Sequence, residues 1–130
     1  MPDKGDSMRH ISALVVFVCA VIACGSARAE PFNLECRNPK HANEPDFPYL
    51  TYWVDLDRQT ITYANVDNGE VSLNTLLTVP VQVSPEAFNF SILQWTVNIN
   101  RLSGVNIWTG PGNQYYDCSK GARPFPAGKF

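Results

Sequence analysis

Asp55 and Asp57 stand two positions apart in a Val-Asp-Leu-Asp run. On a strand that spacing puts both carboxylates on one face. Such a pair could serve glycoside hydrolysis or contribute to a calcium site. The same residues also fit a hairpin end, where Asp hydrogen-bonds its own backbone. Calcium needs more oxygens than this segment offers, so the turn reading is preferred and a small carboxylate hydrolase ranks third among the functions considered. Glu35 and Asp117, each preceding a cysteine, are expected close together on a solvated outer face. His41 lies in a Pro-rich loop beside Lys40 and Asn43, far from the other histidine, His10. No serine occurs in a Gly-x-Ser-x-Gly turn, so nucleophilic catalysis has no assembled signature. Catalytic, cofactor and metal residues are expected to be none.

The four cysteines divide by context. Cys19 and Cys24 belong to an N-terminal segment in which Met8-Arg9-His10 precedes an apolar run from Ile11 to Ile22, followed by Ala27-Arg28-Ala29. Basic start, apolar middle and small-x-small end are the parts of a secretory signal peptide, and the run is shorter than the roughly 20 residues of a membrane span. Residues 1–29 are read as the leader, cleaved between Ala29 and Glu30, with Met8 as an alternative start. Val21-Ile22-Ala23-Cys24-Gly25 also matches the pattern around a lipid-modified bacterial cysteine. Lipidation at Cys24 would tether the chain to the envelope and is the one route considered to a membrane. Cys36 and Cys118 remain. In an oxidising compartment they allow one internal pairing, near the two ends of the exported chain.

Two residues are candidates for ligand or partner contact. Arg101 falls in phase with Trp95, Val97 and Ile99, which aims it at the apolar face near a hairpin end. There it would pair with a carboxylate, stack on Trp95 or Trp108, or reach the barrel mouth, and in a functional role bind an acidic group of a ligand or partner. Trp108 is the aromatic expected to be exposed, because it alternates against Val105 and Ile107. The chain carries 10 Lys and Arg against 12 Asp and Glu, a net charge of −2, with no basic stripe. Nucleic acid is therefore not an expected partner. The expected partner is a protein or a glycan.

Alternation dominates the exported part and helical periodicity is nearly absent, which is the pattern of half-buried strands. Phe32, Leu34 and Cys36 alternate with Asn33 and Glu35. Tyr49 to Asp55 reads as a second strand, Thr60 to Ala64 as a third, and Asp67-Asn68-Gly69 as a tight turn. Val71 to Val83 gives one long strand or two short ones, with Pro80 at an edge or bulge. Phe88 to Ile92 follows, then the hairpin of Trp95 to Arg101 and Val105 to Trp108 about Leu102-Ser103-Gly104, and Gln114 to Cys118 closes the domain. About eight short strands at this spacing predict an all-β, small antiparallel β-barrel over residues 30–118, with a two-sheet sandwich as the alternative. Residues 119–130 are expected to be a flexible tail.

The layout resembles a group of short secreted proteobacterial single-disulfide β proteins of uncharacterised function. The shared elements are Cys36, Val54-Asp55-Leu56, Ile99-Asn100-Arg101-Leu102-Ser103-Gly104 and Cys118. The resemblance implies a compact barrel-like domain and no activity. A weaker likeness is to the periplasmic inhibitors of c-type lysozyme, whose inhibitory loop looks like Ser-Gly-x-Lys/Arg-Tyr. Here the loop is Ser103-Gly104-Val105-Asn106-Ile107, without the basic residue or the tyrosine, and the inhibitory function does not carry over. The expected function is that of a non-enzymatic binding or inhibitor-type module, periplasmic or secreted, with a lipid-tethered interaction protein as the alternative.

Overall fold

Period-two alternation produces nine strands in the computed structural model, which describes residues 30–126. They are β1 (Phe32–Arg37), β2 (Tyr49–Asp55), β3 (Thr60–Asp67), β4 (Glu70–Pro80), β5 (Gln82–Val83), β6 (Ala87–Ile92), β7 (Trp95–Asn100), β8 (Val105–Thr109) and β9 (Asn113–Lys120). A 3₁₀ turn at Pro39–His41 interrupts the β1–β2 connection. The expected leader, the cleavage point after Ala29, and Cys24 lie outside the described residues.

The strands form one antiparallel sheet in the order β4-β3-β2-β1-β9-β8-β7-β6-β5. Its two ends, β4 and β5, are separated only by Val81, so a single extended run pairs with β3 and then, past Pro80, with β6. The meander therefore curls into a nearly closed barrel. Pro80 has no N–H to give a ladder, and it sits at the handover. Val81 donates its N–H to the Gln59 carbonyl at 3.0 Å and buries its side chain. The long strand is not regular. Tyr63 and Asn65 of β3 oppose Leu77 and Ser72 of β4, so Leu73 to Leu76 bulge from the ladder. A bulge of this kind roughens an edge that could otherwise recruit another strand.

Cys36 and Cys118 stand directly opposite in the β1–β9 ladder and are disulfide-bonded, with Cα atoms 3.9 Å apart. First and last strands become neighbours because the sheet curls, which is the arrangement expected for a barrel. Inward residues fill the interior: Cys36, Leu50, Tyr52, Val54, Ile61, Phe88, Phe90, Val97, Ile99 and Trp108 form one buried cluster. Turn chemistry sets the hairpins. Asn68 and Gly69 have φ of 51° and 80°, the pair of positive values that a two-residue turn matched to strand twist requires. At the β7–β8 turn the Asn100 Oδ1 accepts from the Leu102 and Ser103 N–H groups at 2.9 and 3.0 Å. Gly104 follows at φ 78°, where an added Cβ would lie 2.6 Å from the Cys118 carbonyl oxygen.

The chain after Cys118 departs from the expected flexible tail. Strand β9 continues to Lys120, and residues 121–126 then cross the outside of β1 and β2 as a strap. Gly121 donates to the Asn33 carbonyl at 2.9 Å, and the Arg123 N–H to Asn33 Oδ1 at 3.1 Å. The Trp53 indole donates to the Arg123 carbonyl at 3.0 Å, and its ring meets Phe125 edge-on at 5.7 Å. The physical reason is that β2 is apolar on both faces: Tyr49, Thr51 and Trp53 are outward by alternation yet buried. An outward Trp needs a cover, and the strap supplies it. Residues 127–130 lie outside the description.

Candidate ligand-binding site

The β7–β8 turn and the ends of β1, β6 and β9 surround one mouth of the barrel, an open depression of about 360 Å³. Phe32 and Phe88 supply its apolar wall, with ring centroids 6.1 Å apart. Arg101 reaches it from the turn, its guanidinium carbon 4.7 Å from the Phe88 centroid and its Nη1 donating to the Ser84 carbonyl at 2.7 Å. Lys120 reaches it from β9, in phase with Cys118, with Nζ 6.0 Å from the Phe32 centroid. Among the described residues the ion pairs are His41–Glu44, Arg58–Asp55 and Arg123–Glu35. Neither Arg101 nor Lys120 takes part. Leu102, at the tip of the turn, is 83% exposed. The alternation that aimed Arg101 at the apolar face holds in part: β7 ends at Asn100, Arg101 is exposed, and its guanidinium folds back over an inward ring. Lys120 was not singled out by sequence, although Cys118-x-Lys120 alternation was a usable signal.

Trp108 is not the exposed aromatic. It does alternate against Val105 and Ile107, but in the opposite sense: Trp108 faces Val97 across the ladder and is buried. Its indole donates to the Tyr52 hydroxyl at 3.0 Å and to Asn106 Oδ1 at 3.2 Å. Tyr52 in turn donates to Asn106 Oδ1 at 2.8 Å, and Asn106 Nδ2 donates to the Asn98 carbonyl at 3.1 Å. This closed network satisfies the polar atoms of three buried side chains, which is what makes their burial tolerable. Burial pushes the Tyr52 phenol well above its usual range, against the lowering effect of the bond from Trp108. Desolvation also raises Tyr63 and Tyr116. Asn106 escaped sequence reasoning, although a polar residue in the inward phase of a strand was the available sign.

The carboxylates behave differently from one another. Asp55 Oδ1 accepts the Arg58 N–H at 3.0 Å, so the hairpin-turn reading preferred for it is the observed one. Glu35 and Asp117 do not form a joint solvated pair. Asp117 lies across from Arg37. Glu35 lies under the strap, where Oε1 accepts from Arg123 Nε at 3.2 Å and Oε2 is buried without a partner among the described residues. His41 stacks on Phe47 at 3.7 Å, with Nδ1 bonded to Glu44.

Fold and site thus define a disulfide-stapled antiparallel barrel with a cationic, apolar mouth. No family model, curated protein or solved structure matches the chain. The disulfide indicates an oxidising, non-cytosolic compartment. Among the described residues no helix is long and apolar enough to cross a membrane.

Proposed function

We propose that this protein is an exported, non-enzymatic binding module, free in the periplasm or secreted, that receives an anionic group on an apolar stem at the cationic mouth. The observation that carries the reading is the pair Arg101 and Lys120, both without ion-pair partners among the described residues, set over the rings of Phe88 and Phe32. The chain as a whole is net negative, so two uncompensated cations beside apolar rings call for an external anion. Apolar walls lower the local dielectric and make that anion worth more there than on open surface. The volume, about 360 Å³, falls at the small end of ligand sites. Its openness to solvent suits an acidic, apolar segment of a partner protein, an inhibitor-type contact with exposed Leu102 at its edge. Export is supported by the leader-like N-terminal segment together with the disulfide.

The test uses decanoate and decyltrimethylammonium as probes, titrated separately into the oxidised protein and followed by backbone amide shifts. Decanoate is expected to shift Arg101 to Gly104, Ser119 and Lys120 saturably, and the cationic probe is not. Replacing both cations (Arg101→Glu with Lys120→Glu) is expected to abolish the response. Equal response to both probes, or an unchanged response in the charge-reversed variant, overturns the proposal.

A further inference from the structure

Strand β9 starts, at Asn113, on the opposite end of the barrel from Lys120, and that end is built from different chemistry. Two adjoining depressions of about 410 and 370 Å³ share Asn38 and Tyr116 as a common wall. Gln114 and Tyr115 line the first, and Phe47 and Asn65 line the second.

The amides here have a common accounting. Asn38 Oδ1 accepts the Lys40 N–H at 2.9 Å, capping the 3₁₀ turn. Gln114 Oε1 accepts the Tyr116 hydroxyl, and Asn65 Oδ1 the Tyr63 hydroxyl, both at 2.6 Å. Each side-chain carbonyl is therefore engaged, which fixes the amide, while none of the three NH₂ groups has a partner among the described residues. Tyr116, having donated, keeps lone pairs to accept with. Tyr115 opposes Ile107 on the barrel's outer face and is 53% exposed, so its ring is not part of the core.

Charge does not dominate: Lys40 borders one depression and Asp67 the other. Oriented neutral donors in a depression whose rim is also lined by a half-exposed aromatic residue match a ring that carries hydroxyls on its edge and C–H groups on its face. We infer that this end of the barrel binds an oligosaccharide, one sugar ring packing on Tyr115 and the hydroxyls of that ring and its neighbour accepting from Gln114, Asn38 and Asn65. The site is separate from the cationic mouth and stands without it.

Chitotetraose, cellotetraose and maltotetraose are to be added separately to the full oxidised protein, with saturation transfer to the sugar and side-chain NH₂ shifts as readouts. At least one is expected to bind saturably and to shift the Asn38 and Gln114 amides. Tyr115→Ala should weaken that binding by about tenfold or more, Tyr115→Phe should leave it near the original level, and Gln114→Ala should weaken it severalfold. Arg101→Glu, at the other end, should have no effect. Tyr115 and Gln114 are exposed, so both variants are expected to fold, and near-ultraviolet circular dichroism checks this. The inference is overturned if none of the three sugars binds saturably up to about 10 mM. It is equally overturned if binding survives unchanged in both Tyr115→Ala and Gln114→Ala.

Discussion

Leu93 occupies the two-residue turn between Ile92 and Trp95 at φ 54°, with its side chain 90% exposed. A left-handed conformation costs a non-glycine residue about 1–2 kcal/mol, and a solvent-facing side chain returns little packing. Leu93→Gly is expected to raise the free energy of unfolding by about 1 kcal/mol, measured by urea denaturation. A loss of stability would mean that Leu93 makes a contact worth more than its backbone strain. Gly104→Ala should act the other way, because positive φ coincides there with a close approach to the Cys118 carbonyl. Within the barrel, Tyr52→Phe removes a hydroxyl that bonds both Asn106 and Trp108, with an expected cost of about 1–3 kcal/mol. The same hydroxyl sets an alkaline limit. Its folded pKa is raised, so above pH ~10 the unfolded chain loses a proton that the folded chain retains. Stability is then complete below that pH and falls above it, by up to about 1.4 kcal/mol per pH unit from Tyr52 alone. Tyr63 and Tyr116 act in the same direction. Unfolding titrations between neutral pH and pH ~11 should show the decline, and Tyr52→Phe should make it shallower.

At the scale of elements, the strap is the feature with the most to test. Arg123 joins Glu35, Tyr49 and, through its backbone, Asn33 and Trp53. Its side chain and that of Glu35 are 23% and 17% exposed. Removing one member of a mostly buried ion pair leaves the other with its desolvation cost. Arg123→Ala is therefore expected to destabilise by about 1–3 kcal/mol in chemical denaturation, and replacing Glu35 with Gln in the same chain should recover part of the loss. Truncation after Lys120 should expose Trp53 and shift its fluorescence to longer wavelength. Alternation could not reveal this strap. It reports which residues of a strand share a face, and on β2 both faces are apolar, so it cannot say what covers the second one. Trp108 has the same cause at smaller scale: period two separates Trp108 from Ile107, but which of the two points inward depends on which strands pair with β8.

For the whole molecule, closure is the organising event. Nine strands arranged as a meander bring β1 beside β9, and the bond between Cys36 and Cys118 ties the two ends of the chain across that ladder. Replacing both cysteines by alanine should lower stability by about 4 kcal/mol in the chain-entropy picture, as a long loop is released. Thermal and chemical unfolding under oxidising and reducing conditions measure it. Two ends of one barrel then offer two chemistries, cations over rings at one and amides beside an exposed tyrosine at the other.

Read as text, residues 30–118 already specified an all-β chain of short strands, the tight turns at Asp67-Asn68-Gly69 and Leu102-Ser103-Gly104 but not the one at Leu93, and a single possible disulfide. These are local properties of side-chain period, turn residues and cysteine count. The curl of the sheet decided the remainder, because only pairing in space determines which face of a strand is inside. It sent Trp108 and Asn106 into the interior, drew Glu35 under Arg123, and brought Lys120 to the same mouth as Arg101, which alternation by itself aims at the apolar face near that hairpin end.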